Sequence, residues 1–595
     1  MSASPSISRS SLLFLALLFV ATTAWTWASW GHVRVDTGGA LHRAEKISEG
    51  AVLYRDVQVH YPPLAPYAMG AILAVFGKHL NVVYATGLIL LLLQSCLLWR
   101  IGRCFLDERE TTVGVAAFWL LLAFQPGLFN WVLPNVFAGT FASLLATAVV
   151  AVILRDVGRP ENGNLILASL LTGGAGLAKL EYGGAAFGTL AFYVLVLRPV
   201  ASGNTASALR RRAADLLRAG LPGLALGLAA FGLVALTVPV ETILYDNIYR
   251  IRSFSDVLDN YTASLFPPLL PEFGKAALTY LVFFPLAAAI ASLGLGWLRR
   301  GGFETAGGVF ILILAATITY LVSRHLSPDE ERSLYVQFQF TWTPIAWLGL
   351  GAAALLLRER LAGDKVWRVL AVLGLFSFLV TLRWQFRVAW PAFYAVFGPF
   401  LVIWIVRQAF AFLAPRAAHR SAALAFVLGI WIATGTAVHA RDYRARTFEL
   451  TFDRGTIFTT PRDGKPMKRT IDFLRMQLEP GQYVAVIPEE QLINFMVDAT
   501  HPTRDTGIGP GWLATRDDEE RFLRELAEKD TPFVIFSNRR YIEFKVGGLD
   551  GYEPWLTKEI YRRYVPVAKT RFYRILERKD RVDRRRAAEA AKAAS

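Results

Sequence analysis

The chain has 595 residues, of which 54% are hydrophobic and only 18% are charged. An average soluble protein is roughly 45–50% apolar and about 25% charged, and the mean hydropathy of +0.38 lies on the membrane side of that average. The 13% aromatic content excludes a disordered chain, and two cysteines exclude a disulfide scaffold. The composition therefore favours a polytopic membrane protein.

The formal net charge is +16, from 63 Lys and Arg against 47 Asp and Glu. In a soluble protein such an excess points towards nucleic acid. In a membrane protein, basic residues gather in cytoplasmic loops and face anionic lipid headgroups. Because no nucleic-acid-binding motif accompanies the charge, we expect membrane lipid, and no nucleic acid, as the partner of these residues.

Apolar runs near the length of roughly 20 residues that spans a bilayer recur along the first three-quarters of the chain. In chain order they are 11–30, 80–98, 111–129, 132–154, 164–180, 182–197, 219–240, 276–297, 303–322, 340–357, 366–382, 388–406 and 421–438. They predict a mostly α-helical bundle of about 13 transmembrane helices. The first run lacks the basic cluster that precedes a cleaved signal peptide, so we expect an uncleaved anchor.

The basic residues predict the orientation of the bundle. With the N-terminus inside, the inner loops hold most of them, including Arg210, Arg211 and Arg212. The short outer loops hold few, mainly Arg324, Arg332, Arg383 and Arg387. Cytoplasmic loops are enriched in Lys and Arg. We therefore expect a multi-pass protein of the cytoplasmic (inner) membrane with a cytoplasmic N-terminus and an extracytoplasmic C-terminal region.

The domain organisation follows from these spans. Residues 1–440 are predicted to form the transmembrane domain, with 31–79 as the first outer loop. From about 441 the composition becomes soluble, and short apolar strands at 482–487, 533–537 and 571–576 alternate with helices at 468–478 and 517–529. Such alternation predicts a small extracytoplasmic α/β domain over 441–576. The basic tail, 577–595, has no apolar stripe and is expected to be a solvated, partly frayed helix or disordered.

The inner loops are short, and the sequence carries no Walker motif and no dinucleotide fingerprint. Chemistry is therefore expected at the outer face. In the first outer loop, Asp36 follows the first helix, and the clusters Tyr54-Arg55-Asp56 and His60-Tyr61-Pro62-Pro63 come after it. The run 64–76 is too short to span comfortably and is predicted to lie at the interface. A carboxylate, tyrosines and basic groups thus gather at the lipid–water boundary.

This stretch resembles the GT-C superfamily of membrane glycosyltransferases. The likeness is to the dolichyl-phosphate-mannose-protein-mannosyltransferase-like branch, which includes the bacterial lipid A aminoarabinose transferases. The shared pattern is an acidic residue after the first helix, then A-x-x-I-x-x-G-x-x-x-Y-R-D and a P-P-L turn. In this chain it consists of Asp36, Ala44, Ile47, Gly50, Tyr54, Arg55, Asp56, Pro62, Pro63 and Leu64. The segment 494–504 (NFMVDATHPTR) also resembles the family's approach to its outer-domain loop.

The resemblance implies an inverting transfer of a monosaccharide from a polyprenyl-phosphate donor to an acceptor at the outer face. A lipid, a glycan and a protein remain open as the acceptor. The pair Asp36-Thr37 stands where protein mannosyltransferases have Asp-Glu, and the tryptophan-rich motif of oligosaccharyltransferases is missing; both disfavour a protein. The resemblance makes Asp36 the catalytic carboxylate, and Asp36 with the donor phosphate could also hold a divalent cation such as Mg or Mn.

Lys179 and Glu181 lie between two short apolar segments, on the predicted outer side. Ionisable groups within a membrane cost roughly 2.5–3.5 kcal/mol each, which favours a functional role. Lys179 also occurs in a context similar to that of a family lysine, and we expect it to bind the donor phosphate. The alternative is a Lys179–Glu181 pair that reaches the interface from a helix end.

The remaining candidates for substrate binding each have a simpler alternative. Arg55 and Asp56 could form a local ion pair, and His60 and Tyr61 could be interfacial anchors. Arg324 and Arg332 could belong to a solvated loop. The alternative function is a polytopic transporter or lipid flippase, and a further one is a non-catalytic scaffold. Transporters commonly show internal repeats and charges near the midplane, whereas this sequence shows no repeat and its charges gather at the outer ends.

Overall fold

The computed structural model describes residues 7–199, 205–250, 284–298, 303–326, 328–329, 332–333, 365–381, 396–413, 417–539 and 547–594. The predicted span 340–357 lies outside these residues, as do most of the loops 241–275 and 323–339 and the start of the span 388–406. The described part of the chain is mostly helical.

Fifteen described helices precede the first long strand. They are α1 Arg9–Thr26, α2 Thr37–Ser48, α3 Leu64–Phe76, α4 Leu80–Gly102, α5 Glu108–Phe118, α6 Phe137–Gly158, α7 Asn162–Ala178, α8 Leu180–Phe192, α9 Thr205–Ala235, α10 Val240–Leu244, α11 Phe284–Leu298, α12 Phe303–Leu326, α13 Lys365–Thr381, α14 Gly398–Leu413 and α15 Ala417–Arg444. Single π-helical turns extend three of them, at Trp119–Ala123, Tyr193–Leu197 and Tyr245–Tyr249. Two-residue strands, β1 Pro328–Asp329 and β2 Arg332–Ser333, pair after α12.

Six helical stretches within the described residues are long and apolar enough to cross a membrane. They are Arg9–Thr26, Leu80–Gly102, Phe137–Gly158, Leu180–Leu197, Thr205–Ala235 and Leu424–Arg444. Leu64–Phe76 and Thr305–Ile318 are shorter apolar helices. Their exposed side chains are large hydrophobics, such as Leu17, Leu93 and Leu228, which suit a lipid environment. The chain is therefore a multi-pass membrane protein.

The predicted spans 111–129 and 132–154 differ from the observed helices. The first is α5 with its π turn and ends before Phe124, and α6 begins only at Phe137. Proline lacks the N–H that continues a helix, and the intervening segment contains Pro126 and Pro134. Asn130 fixes this segment, since its Oδ1 accepts from the N–H groups of Val132 at 2.8 Å and Leu133 at 2.6 Å.

The C-terminal region is a layered α/β structure. Its strands are β3 Phe448–Phe452, β4 Gly455–Thr459, β5 Val484–Ile487, β6 Phe533–Ser537, β7 Tyr564–Lys569 and β8 Tyr573–Arg578. Its helices are α16 Pro461–Gln477, α17 Leu492–Val497, α18 Arg516–Glu528, α19 Leu549–Tyr552, α20 Pro554–Arg563 and α21 Lys579–Ala594. β3 and β4 form an antiparallel hairpin, and the other four strands form a sheet in the order β5-β6-β8-β7.

The sheet places two strand ends side by side. β5 runs parallel to β6, with Val484 beside Phe533 and Ile487 beside Phe536, while β8 is antiparallel to both β6 and β7. The side chains of β5 and β6 are buried along the whole length of both strands, as strands covered on both faces require. The residues that follow β5 and β6 therefore leave the sheet at the same end, the end that faces the first outer loop.

The basic tail, for which a frayed helix or disorder was expected, is helical over Lys579–Ala594. Residues 577–578 complete β8, and α21 follows directly. Glu577 is buried and forms ion pairs with Arg581 at 3.4 Å and Arg585 at 2.8 Å. Alanine has the highest helix propensity, and oppositely charged side chains four positions apart in a helix stabilise it, as Asp580 and Arg584 do here at 3.1 Å. These contacts hold the segment in a helix against the sheet.

Candidate active site

Asp36 lies in a tight turn, residues 31–37, that joins α1 to α2; we name it the Asp36 turn. Asp36 is the N-cap residue of α2, is half-buried, and has a φ of +38°, a value that non-glycine residues rarely adopt. The N–H of His32 donates to Thr37 Oγ1 at 3.2 Å, and the N–H of Arg34 donates to His32 Nδ1 at 3.2 Å. Strained backbone of this kind is concentrated at functional sites.

The His32 imidazole is a neutral part of this turn. Burial is the main cause that lowers the pKa of His32 to about 4, and the nearby Arg446 guanidinium lowers it further. At neutral pH its Nδ1 is therefore free of a proton and can accept the Arg34 N–H. The ring thus stabilises the turn without adding a second positive charge beside Asp36.

A narrow cleft lies between α2, α3 and the start of α6. Its wall is mostly apolar and includes Ala40, Ala44, Ala65, Met69 and Phe137. Two polar side chains, Arg43 and Tyr61, also line it. An apolar groove with a few polar groups is the usual form of a site for an amphiphilic ligand.

Arg43 is a site residue that sequence reasoning missed. Burial is the largest effect on its guanidinium and lowers its pKa, while the opposing charges that act on it come from Tyr61, Asp36 and Glu489. Arg43 lies seven positions after Asp36, two turns of a helix, so both occupy the same helical face. That spacing becomes informative only once the helix is known to begin at Thr37.

Lys179 interrupts the helical chain between α7 and α8, where its backbone is extended. Its Nζ is 2.9 Å from Glu181 Oε1 and 5.7 Å from the centroid of the Tyr61 ring. Close packing of two glycines allows this break, because a Cβ on Gly183 would lie 2.5 Å from Gly176 Cα. The structure thus brings Lys179 and Glu181 to Tyr61 and the cleft.

The predicted Lys179–Glu181 pair therefore exists, but both of its side chains are buried, with 6% and 10% of their surface exposed. A pair that reached the interface from a helix end would be more exposed. His60 also joins this group, since its ring lies 4.2 Å from that of Tyr61 and 5.4 Å from that of Trp512.

Arg55 and Asp56 lie away from the cleft and pair with each other. Arg55 Nε donates to Asp56 Oδ1 at 3.0 Å, and Arg55 Nη2 donates to Asp56 Oδ2 at 2.8 Å. The hydrogen bond from Arg55 is the main cause that lowers the pKa of Asp56. Asp56 also accepts from the N–H of Val52 at 2.8 Å. This arrangement is the local ion pair that the sequence allowed as an alternative.

Arg324 lies near the end of α12, and Arg332 pairs with Asp329 through the backbone of β2. The surroundings of both side chains lie outside the described structure, so their predicted roles stay predictions. Within the described part of the chain, no group of three or more His, Cys, Asp or Glu side chains is arranged to hold a metal ion. The divalent cation at Asp36 likewise stays a prediction.

The C-terminal region closes over the first outer loop. The N–H of His501 donates to His42 Nε2 at 2.9 Å, and Lys46 Nζ donates to the carbonyl of Thr503 at 2.9 Å. The N–H of Gln58 donates to the carbonyl of Arg504 at 2.9 Å. The partners on the C-terminal side belong to 494–504, the segment that resembles the family's approach to its outer-domain loop.

Residues 60–208 match the family model for dolichyl-phosphate-mannose-protein mannosyltransferase. A comparison with curated proteins gives no match. Among solved structures, the chain is similar to ArnT from Cupriavidus metallidurans bound to undecaprenyl phosphate, at 13% identity and a TM-score of 0.43, covering 96% of this chain and 98% of that one. It is also similar to the oligosaccharyltransferase AglB from Archaeoglobus fulgidus, in complex with an inhibitory peptide and a dolichol-phosphate, at 11% identity and a TM-score of 0.47 over 94% of this chain and 72% of that one.

A third similar structure is the arabinofuranosyltransferase AftD from Mycobacteria, at 12% identity and a TM-score of 0.38 over 96% of this chain and 42% of that one. All three scores are below 0.5, so the assignment rests on the family model, which begins at His60 and extends past Lys179 and Glu181. Over these residues the match agrees with the resemblance of the chain to the dolichyl-phosphate-mannose-protein-mannosyltransferase-like branch.

Proposed function

We propose that the chain transfers a monosaccharide from a polyprenyl-phosphate donor to an acceptor hydroxyl at the outer face of the cytoplasmic membrane. The observation that carries the proposal is the convergence of Asp36, Arg43, Tyr61 and Lys179 around one cleft. Arg43 and Tyr61 line the cleft, Lys179 approaches the Tyr61 ring, and the Asp36 charge acts on Arg43. A general base, phosphate-binding cations and an apolar groove are the parts that such a transfer needs.

The proposal includes the topology that brings a lipid donor to this place. About 13 helices cross the membrane, the N-terminus is cytoplasmic, and residues 441–578 form a domain outside. This orientation puts Asp36, which follows α1, at the outer boundary of the membrane. α3, at Leu64–Phe76, then lies along the interface beside the cleft. The first isoprene units of the donor would occupy the apolar part of the cleft, while the phosphate faces the cations.

The bond-making step is a single displacement. The oxygen of the acceptor hydroxyl attacks the anomeric carbon, and the bond from that carbon to the phosphate oxygen breaks with its electron pair on the phosphate. Asp36 takes the proton of the hydroxyl as the new bond forms. The anomeric carbon develops oxocarbenium character, as in glycoside hydrolysis, and attack opposite the leaving group inverts its configuration.

The leaving polyprenyl phosphate requires positive charge. Lys179 and Arg43 supply two cations that are held in place before the reaction, which is the arrangement that stabilises developing charge best. Tyr61 lies between them as a hydroxyl donor and a ring for packing against the sugar. A Mg or Mn ion held by Asp36 and the donor phosphate would add Lewis-acid stabilisation of the same charge, but no step above depends on it.

The replacement Asp36→Asn tests the proposal. Asparagine has nearly the same shape but accepts no proton, so sugar transfer should fall by about 10²–10⁴-fold while the protein stays folded. Wild-type and variant proteins in proteoliposomes are supplied with a panel of polyprenyl-phosphate hexoses and pentoses and with envelope glycolipids. Mass spectrometry then measures the glycosylated product.

Asp453→Asn is the matched control, because Asp453 is an exposed carboxylate that pairs with Arg475, and neither residue lines the cleft. It should transfer sugar at the wild-type rate. Wild-type turnover by a purified, folded Asp36→Asn protein would refute the role of Asp36. Movement of intact donor lipid across the bilayer, with no glycosylated product, would instead support the transporter or flippase alternative.

A further inference from the structure

Two side chains join the Asp36 turn to the C-terminal region. Arg446 Nη1 donates to the carbonyl of Gly31 at 2.9 Å. The second link is the side chain of Arg34, which extends from the turn to the C-terminal sheet. Its guanidinium donates to Glu490 Oε1 from Nε at 3.3 Å and from Nη2 at 3.1 Å, and Nη2 also donates to Asn538 Oδ1 at 3.0 Å. The same guanidinium lies 3.9 Å above the centroid of the Phe572 ring. Arg34 is thus fixed by a carboxylate, an amide and an aromatic face, which its planar fork suits better than a lysine would.

The three partners meet because of the topology of the sheet. Glu490 follows the end of β5, Asn538 follows the end of β6, and Phe572 directly precedes β8. β5 and β6 are parallel and β8 is antiparallel to β6, so these three positions lie at the same end of the sheet. Glu490 is 2% exposed and also accepts from the Ser537 hydroxyl. Its position is therefore set by the sheet itself.

Arg34 and Asp36 are separated by one residue in a turn whose amides are hydrogen-bonded. The N–H of Val35 donates to the carbonyl of His32 at 3.4 Å, and the N–H of Gly31 donates to the carbonyl of Gly127 at 3.1 Å. A φ of +38° at Asp36 persists only where surrounding contacts enforce it. A displacement of Arg34 would therefore be transmitted to Asp36.

We propose that Glu490 and Arg34 form a positioning pair through which the C-terminal sheet sets the orientation of the Asp36 carboxylate. The effect of the pair on catalysis rests on the proposed function. Its effect on the conformation of residues 32–37, which we call the mechanical link, does not. Glu490 touches no substrate in this scheme. It acts through Arg34 on the backbone of residues 32–37, so its loss should lower kcat and leave donor binding largely unchanged.

The variant Glu490→Leu removes every acceptor from the pair, and Glu490→Gln is the conservative rescue, because its amide oxygen can still accept from Arg34. Hydrogen–deuterium exchange of the full-length protein in nanodiscs measures the amides of residues 32–37. In Glu490→Leu we expect exchange there to rise about tenfold. We expect kcat to fall about 10²-fold, as for a misplaced catalytic group, with donor KM within about twofold. Glu490→Gln should lie between wild type and Glu490→Leu on both measures.

The matched control is Arg454, which also joins α2 to the C-terminal region. It pairs with Glu45 and Asp498, and Glu45 lies nine positions after Asp36, about 13 Å along the helix. Arg454→Gln should lower thermal stability while exchange at 32–37 and kcat stay at wild-type values. Where Glu490→Leu fails to fold, Arg34→Lys, which keeps the charge but loses the fork, serves as the disruptive variant.

The outcomes separate the two proposals. Unchanged exchange at residues 32–37 in the disruptive variant would overturn the positioning pair. Faster exchange with an unchanged kcat would overturn its link to catalysis. Faster exchange in a protein whose wild type transfers no sugar from any donor would support the mechanical link and contradict the proposed function.

Discussion

Two cations from distant parts of the sequence approach one tyrosine. Arg43 lies on α2 and lines the cleft together with Tyr61. Lys179 lies at the break between α7 and α8, and its Nζ is 5.7 Å from the centroid of the Tyr61 ring. A lone cation in a membrane protein is costly, and Lys179 is 4% exposed. Glu181 compensates the charge of Lys179, while Asp36 and Glu489 partly compensate that of Arg43. The arrangement leaves a positive field beside the cleft without a fully uncompensated buried charge.

Replacing Lys179 should weaken the handling of the donor phosphate. Hydrogen bonds to charged groups contribute about 1.5–3 kcal/mol, so Lys179→Ala should raise donor KM at least about tenfold and lower kcat/KM, since the ground state and the transition state both carry the phosphate. Steady-state kinetics with varied donor measures this. Lys179→Arg, which keeps the charge in a different geometry, should retain part of the activity.

A second variant separates binding from folding. Lys179→Ala removes the cation that pairs with the buried Glu181, which destabilises the protein. The double variant Lys179→Met with Glu181→Gln removes both charges, so it should recover thermal stability but not donor KM. Unchanged donor kinetics in a folded Lys179→Ala protein would limit Lys179 to its pairing with Glu181.

For single residues, the sequence indicates which side chains are candidates for a site better than it indicates which of them lie together. The sequence singles out Asp36, Tyr61 and Lys179 as candidates because charged and polar residues at helix ends are unusual in an apolar sequence. Arg55 and Asp56 carry the same motif-level signal, yet they pair with each other at the surface. Only the path of the chain decides which of these side chains face the cleft, and no local pattern contains that information.

Among the elements, α18 and α20 carry an unusual pair of carboxyl groups. Glu553 precedes α20 and lies beside Glu519 of α18, and both are buried. Burial, followed by the hydrogen bond with Glu519, raises the pKa of Glu553 to about 8. One proton shared between two carboxyl groups avoids the repulsion of two buried negative charges. The contact between these helices therefore depends on pH.

The sign of that dependence follows from proton linkage. Between the ordinary pKa of 4.5 and about 8, folded Glu553 holds a proton that the unfolded chain releases. The stability of the C-terminal region should therefore fall as pH rises through this window. Glu553→Gln should flatten the dependence and raise the apparent melting temperature at pH 8–9 by about 2–4 °C or more, as measured by thermal unfolding across pH in detergent.

Glu520→Gln is the control for this prediction, because Glu520 is exposed on the same helix as Glu519. It should keep the wild-type pH profile. An unchanged profile in Glu553→Gln as well would show that Glu553 is ionised in the folded protein.

The elements that sequence patterns predict well are those with sharp boundaries. The run 64–76 and the strand 533–537 coincide with α3 and β6, because turn residues or charges flank each apolar run. β7 was missed because Pro566 interrupts its pattern. β7 lies at the edge of the sheet, where proline is tolerated since no neighbouring strand needs its N–H. Edge position is a property of the sheet order, which no single strand reveals.

For the whole molecule, the distribution of basic residues predicts the orientation. Reporter fusions should give a cytoplasmic signal after Arg212 and after Arg300, and an extracytoplasmic signal after Arg441. Lys and Arg in short loops determine which side is retained in the cytoplasm. A cytoplasmic signal at the C-terminus would contradict the predicted helix count and would move Asp36 away from an outer-face acceptor.

The hydrogen bond between Arg34 and Glu490 joins residues 456 positions apart in the sequence. The two residues are therefore synthesised at different times. A ribosome adding roughly 5–20 residues per second needs about 20–90 s to synthesise the stretch between them. During that interval α1 is already in the membrane, and the residue that fixes the Asp36 turn does not yet exist. The proposed activity should therefore appear late, only when nearly the whole polypeptide has been made and its last domain has closed over its first loop.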